Sequence, residues 1–307
     1  MKKSGVTYGV VCAVACQVLF GFSFLFTKRV TLSISPMVLL SWRFIVAFLL
    51  FTACAMAGIV KLDFKGKSIA PLVWVAVFQP TLYFIGETFG VKLTTASESG
   101  TIIACIPIAA LISSAVFLKE PPTRRQIAGV SIAAAGILII VLTKGVEATF
   151  NPLGYAMLVL AVFSHSLYSV FSQKACQFTS VEKTYVMVAF GAVIFTVAAL
   201  FQSLMAGTTA YYLMLPFKDT DFLVSVIYLG LGCSVAAFIF YNAAISVIGT
   251  NRTASFAGIS TVVTVIAGIV VLKEEFSMLQ RAGAALVIIG VYIANSAAVS
   301  PHGSQLT

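Results

Sequence analysis

Leu118-Lys119-Glu120 is followed by Gln126, Gly129 and Gly136; 154 positions later, Leu272-Lys273-Glu274 is followed by Gln280, Gly283 and Gly290. The first polar residue able to cap the next helix also repeats, as Thr123 and Ser277. Each copy joins one long apolar segment to another, so the chain reads as a duplicated membrane unit. In membrane proteins, duplication of this kind builds transporters with a central site between the halves.

Outward from these turns, runs of the roughly 20 apolar residues that cross the hydrocarbon core as helices lie at 6–27, 37–59, 69–90, 99–118, 125–143, 153–173, 184–206, 222–242, 253–272 and 279–298. Hydrophobic residues make up 60% of the 307 and charged residues only 9%. A soluble domain carries about 25% charge, so this chain cannot assemble a wetted surface. The longest connections, 60–68 and 207–221, are too short for a separate soluble domain. The expected fold is an all-α integral membrane domain of ten transmembrane helices.

The net charge of +9 is read as topology rather than nucleic-acid affinity, because short cytoplasmic loops retain Lys and Arg. With the N-terminus inside, eleven Lys and Arg fall on the inner side and seven on the outer, with Arg43 inside a span. Both termini are therefore expected in the cytoplasm, and the chain in the cytoplasmic (inner) membrane. The first span runs on through Phe26, past Ala13-Val14-Ala15-Cys16, and reads as an uncleaved helix. The six cysteines form no Cys-x-x-Cys pair and read as small reduced core residues.

The spans divide five and five, as 1–146 and 147–307. The shift of 154 matches the fourth and fifth spans to the ninth and tenth, and Lys28 and Lys174 end the first and sixth alike. Five is odd, so the second copy enters the membrane from the opposite side. Two inverted five-helix repeats around a central cavity follow.

These features resemble the EamA-type branch of the drug/metabolite transporter superfamily over essentially the whole chain. The resemblance rests on Gly21-Phe22-Ser23-Phe24-Leu25-Phe26-Thr27-Lys28, on Arg43, and on both Leu-Lys-Glu…Gln-x-x-Gly…Gly turns. It implies ten helices in two inverted repeats and secondary transport, commonly export of amino acids, other metabolites or drugs. Members often carry Trp before the first-span glycine where this chain has Phe20, which removes one expected aromatic platform.

Arg43 sits about seven residues into its span, roughly 10 Å from the outer end. A charge at that depth costs about 2.5–3.5 kcal/mol on insertion scales, so it should face protein or water. It either grips a substrate carboxylate or anchors the helix through an acid or carbonyls. Glu87 is the one acid well inside a span, at similar depth. It either pairs with Arg43 or serves as a carboxylate for a proton or a substrate ammonium. Tyr83 and Gln79 lie one and two turns back on the same helical face, and Pro80 is placed to bend the helix.

The 154-residue shift places Tyr241 where Glu87 stands and Asn242 where Thr88 stands, as opposite gates or as core hydrogen bonding. Gln17 and His165 fall mid-span in the first and sixth segments, with Tyr168, Ser169 and Ser172 beside the histidine. Its near-neutral titration also suits a proton carrier. The candidate binding and gating set is thus Gln17, Arg43, Tyr83, Glu87, His165, Tyr168, Tyr241 and Asn242. Glu98 and Arg252 read as interface residues. Gly129…Gly136 and Gly283…Gly290 read as close helix contacts, with a homodimer face as the other use.

No Gly-x-x-x-x-Gly-Lys-Ser/Thr, His-Glu-x-x-His or Gly-x-Ser-Gly occurs, and no Asp lies inside a span. No cofactor, metal or catalytic residue is expected, and no nucleic-acid partner. The partners expected are a small-molecule substrate, membrane lipids and protons as coupling ion. The expected function is alternating-access secondary transport of a small, amino-acid-like metabolite, moving outward. An exporter of cationic drugs or other metabolites is the competing reading, and an intramembrane lipid-modifying enzyme the rival class.

Overall fold

The computed structural model describes residues 3–117, 123–145, 151–254 and 256–296. The first Leu-Lys-Glu turn, 118–120, lies outside the described residues, as do the side chains of Gln126, Asn251 and Arg252. The described residues are helical and contain no strand. In chain order they form α1 Lys3–Thr31, α2 Pro36–Met56, α3 Ala70–Leu93, α4 Ala96–Phe117, α5 Arg124–Gly145 and α6 Pro152–Lys174. There follow α7 Ser180–Met205, α8 Thr209–Lys218, α9 Thr220–Ile248, α10 Thr250–Ala254, α11 Ala257–Val270 and α12 Met278–Ser296. Seven of them (α1–α4, α6, α7 and α9) are long and apolar enough to cross a membrane. Shorter apolar helical stretches, Ile127–Ile140, Ala257–Val270 and Met278–Gly290, occupy the other three apolar segments. The 207–221 connection is itself mostly helical, as α8.

Helix starts follow their caps. Thr95 and Thr179 form capping boxes with Glu98 and Glu182, and Ser277 exchanges the same bonds with Gln280. Asn151 and Asp219 cap α6 and α9. Packing is inverted relative to a soluble protein. Val193, Val197 and Phe201 form an exposed apolar stripe on α7, whereas Gln17, Arg43, Glu87, His165 and Asn242 are buried. An apolar exterior this extensive is stable only against lipid.

The helix contacts are paired. α1 packs on α9 and α11, while α6 packs on α3 and α4. Between the halves, α2 meets α7, α4 meets α11 and α5 meets α12. On the last pair, a methyl built on Gly136 would come 2.5 Å from the Gly283 carbonyl oxygen, and one on Gly290 would come 2.6 Å from that of Gly129. Numbers rise along one helix as they fall along the other, so α5 and α12 run antiparallel. The repeated glycines are thus consumed inside the chain, allowing two backbones to touch where a side chain would hold them apart.

The second Leu-Lys-Glu turn has a definite task. Lys273 adopts a positive φ of 53°, and Glu274 reaches the start of α4. Its Oε1 accepts from the Ala96 N–H at 2.7 Å, and its Oε2 accepts from the Ser97 N–H at 3.0 Å and the Ser97 hydroxyl at 2.7 Å. From α1, Lys28 Nζ donates to the carbonyls of Val91, Lys92 and Thr94 at the end of α3. A cation on exposed carbonyls and an anion on exposed N–H groups suit the two helix termini. They clamp the α3–α4 junction from α1 and from the end of α11. Glu98, expected at a wetted interface, is instead buried there and accepts from the Tyr155 hydroxyl at 3.2 Å.

Candidate functional site

Two spans depart from α-helical geometry, at corresponding places. Tyr228–Ala237 in α9 is π-helical, whereas Val77–Leu82 in α3, which a shift of 154 carries into it, is a break where two helical pieces meet at a kink. Pro80 lacks the N–H needed for the regular ladder, and Gln79 leaves helical backbone altogether (φ −146°, ψ 117°). Such interruptions recur at functional sites because they re-aim side chains.

The α3 segment borders one central cavity through Gln79, and α9 borders it through Tyr241, beyond its own segment. The cavity walls include Gln17, Arg43, Tyr83, Glu87, His165 and Tyr241, six of the eight residues the sequence singles out. They come from α1, α2, α3, α6 and α9. The cavity is narrow, and a water centre has only ≈ 30 Å³ to occupy. That accommodates a water or two; a metabolite requires the helices to part.

Arg43 and Glu87 both face this cavity without forming an ion pair. Among the described residues the ion pairs are Arg29–Asp221 (2.8 Å) and Lys67–Glu182 (3.0 Å). Arg43 donates from Nε to Ser234 Oγ at 2.8 Å, and its guanidinium carbon lies 4.2 Å from the centre of the Phe84 ring. Glu87 Oε2 accepts from the neighbouring Thr88 hydroxyl at 2.9 Å. The reading of these two as a direct structural pair is therefore not what the chain adopts. A guanidinium and a carboxylate, both buried, border one small space within reach of each other's charge but without direct contact.

Opposite them, His165 Nε2 lies 2.8 Å from the Tyr241 hydroxyl, which lies 3.3 Å from Ser169 Oγ. Tyr241 and Glu87, considered as opposite gates, share the same cavity wall set. Tyr168 and Asn242 stand outside the cavity lining. Tyr168 donates to Asn242 Oδ1 at 2.8 Å, Ser172 donates to the same oxygen at 2.9 Å, and Asn242 Nδ2 donates to Thr184 at 3.2 Å. This buried network holds α6, α7 and α9 together behind the histidine.

Sequence reasoning did not select Gln79, Ser234, Phe84 or the residues contributed by α10 and α11, Ala254, Ala257 and Ser260. Gln79 had been placed on the correct helical face, so its polarity was a usable signal. Ser234 in an apolar run gives none until the π-helical turn shows where it points. Phe20, noted as the loss of a tryptophan, does line the cavity and meets Phe238 at 5.9 Å between ring centres.

The sequence model of the EamA-like transporter family matches residues 7–142 and again 152–296. The chain belongs to that family. A Bacillus subtilis (strain 168) protein, Uncharacterized transporter YcxC, is 34% identical over 297 residues, which span 96% of this chain and 95% of its relative. A Salmonella typhimurium protein named Probable amino-acid metabolite efflux pump is 26% identical over 185 residues, 58% of this chain and 60% of that one. A solved crystal structure superposes at a TM-score of 0.61 with 20% identity, covering 96% of this chain and 99% of the other, a likeness of fold. Family and fold agree with the long apolar helices: this is a multi-pass membrane transporter.

Proposed function

We propose that the chain is a ten-span secondary transporter of amino-acid-like zwitterions, working by alternating access in the cytoplasmic membrane. Residues 1–146 and 147–307 are two inverted five-helix repeats that rock about the central cavity. Both termini are cytoplasmic and transport is outward. The reciprocal helix pairings, the antiparallel Gly136–Gly283 and Gly129–Gly290 contacts and the interruption of α3 and α9 at corresponding positions support the inverted arrangement.

One observation carries the substrate class: Arg43 and Glu87 line one cavity with no direct ion pair between them. A buried charge is costly until it is paired. A zwitterion supplies both missing partners at once, its carboxylate to the guanidinium fork and its ammonium to Glu87. A cationic drug satisfies Glu87 but leaves Arg43 unmatched and adds a second positive charge beside it. The efflux-pump name of one relative points the same way. Coupling to protons runs through Glu87, which binds a proton when substrate leaves and so avoids an isolated charge.

The test is uptake of a mixed pool of labelled amino acids into proteoliposomes, with and without an imposed pH gradient. Accumulation that follows the gradient in wild type, and only equilibration in Glu87→Gln, is expected. An absence of amino-acid uptake by folded protein would remove this reading and bring cationic drugs forward.

A further inference from the structure

The cavity holds two of the four buried side-chain polar atoms that lack a hydrogen-bond partner among the described residues, Gln79 Oε1 and His165 Nδ1. Both residues are almost fully buried, and the elements carrying them, α3 and α6, pack together. A buried polar atom left unpaired costs about 1–3 kcal/mol, so two beside one space mark a place built to be filled.

The hydrogens around His165 show what fills it. Ser169 donates its one hydroxyl proton to the His165 carbonyl at 3.0 Å, as helical serines do. We take the 3.3 Å contact between Ser169 and Tyr241, long for an O–H···O bond, as donated by Tyr241, the Ser169 proton being committed. Tyr241 has no second proton to give, so the 2.8 Å contact with His165 is Nε2–H donating to the tyrosine oxygen. In neutral imidazole that leaves Nδ1 bare, an acceptor. Gln79 Oε1 is an acceptor by nature, and so is the Glu87 carboxylate.

We propose that Gln79 Oε1, His165 Nδ1 and the Glu87 carboxylate together form a pocket for a primary ammonium group, three acceptors for three N–H donors. The inference rests on the zwitterion reading for the role of Arg43, but not for the pocket itself. Its chemistry selects R–NH₃⁺ against a quaternary ammonium, which has no N–H, and against a hydroxyl, which has one proton and no charge. Sites built around substrate N–H groups reject analogues lacking them far more strongly than apolar pockets reject a methylene.

The experiment is thermal unfolding of the purified full chain in detergent with millimolar probes. The probes are leucine, leucine methyl ester, N,N,N-trimethyl-leucine and 2-hydroxy-4-methylpentanoate. Leucine suits walls that include Phe20, Phe24, Ile103 and Ile106. The methyl ester, which keeps the ammonium but has no carboxylate for Arg43, should raise Tm more weakly than leucine. Leucine should raise Tm with an apparent affinity at least tenfold above those of the trimethyl compound and the hydroxy acid. Gln79→Met, similar in shape but without the acceptor, should reduce that discrimination about tenfold, one hydrogen bond to a charged group. Gln79→Glu should retain it, and the ligand-free Tm of each variant reports folding in the same trace. Protection by the methyl ester but not by leucine keeps the pocket and removes the zwitterion reading. Equal protection by the trimethyl compound, no protection by either amine, or unchanged discrimination in Gln79→Met overturns the pocket.

Discussion

The interruptions of α3 and α9 fall at corresponding positions, one a kink and the other a π-helical stretch, and they differ in what hangs from them. In α9, Tyr241 lines the cavity, Ser234 and Tyr228 lie outside its lining, and all three are engaged. Ser234 accepts from Arg43, Tyr228 donates to the Leu19 carbonyl at 2.9 Å, and Tyr241 bridges His165 and Ser169. In α3 the corresponding stretch leaves Gln79 Oε1 unpaired, and Glu87 is bonded only to its neighbour Thr88. α9 thus supplies a scaffold that holds recognition groups in position, and α3, with His165 of α6, supplies recognition groups that wait for a partner. Corresponding positions can divide labour in this way because position sets where a side chain stands, not what it is.

The division is sharpened first at Arg43, the one group that both sides touch. Arg43→Met should lower amino-acid uptake about a hundredfold or more, since a charge-assisted contact to a carboxylate contributes roughly 3 kcal/mol. Near-normal uptake in proteoliposomes would recast Arg43 as a helix anchor. Next come the glycines where the halves meet. Gly136→Val and Gly283→Val should each cost about 1–3 kcal/mol and lower Tm by similar amounts, because each added side chain meets the other's backbone. Strongly unequal losses would weaken the symmetric account. Ser234→Ala should lower uptake about tenfold for every substrate alike, by leaving the Arg43 Nε unsatisfied, and Ser234→Thr should recover most of it. The smallest effect belongs behind the cavity. Tyr168→Phe should cost about 1 kcal/mol of stability and change uptake by less than about threefold, as read by Tm and transport together.

Much of this arrangement was legible in the chain. The Leu-Lys-Glu turns announced the duplication, and apolar length located the helices to within a few residues. Intramembrane polarity picked out six residues that do converge on one cavity. The rest depended on information that residue spacing does not carry. Ideal helical spacing cannot foresee a kink at Gln79 or a π-helical stretch around Ser234, so Gln79 was placed on a face but not aimed, and Ser234 passed as an ordinary small residue. Glu274 was recognised as part of a motif, yet its role in capping α4 is a contact across 177 positions, invisible to local pattern. Tyr168 and Asn242 were placed one layer too far in, because buried polar side chains look the same in sequence whether they meet a ligand or each other.

The most direct test compares the equivalent positions, Glu87 in α3 and Tyr241 in α9. Uptake driven by a pH gradient is measured for Glu87→Gln and Tyr241→Phe in the same proteoliposomes. The account predicts that Glu87→Gln loses accumulation above equilibrium, whereas Tyr241→Phe still concentrates substrate at a rate lowered a few-fold. Loss of gradient coupling in Tyr241→Phe with coupling intact in Glu87→Gln would contradict it.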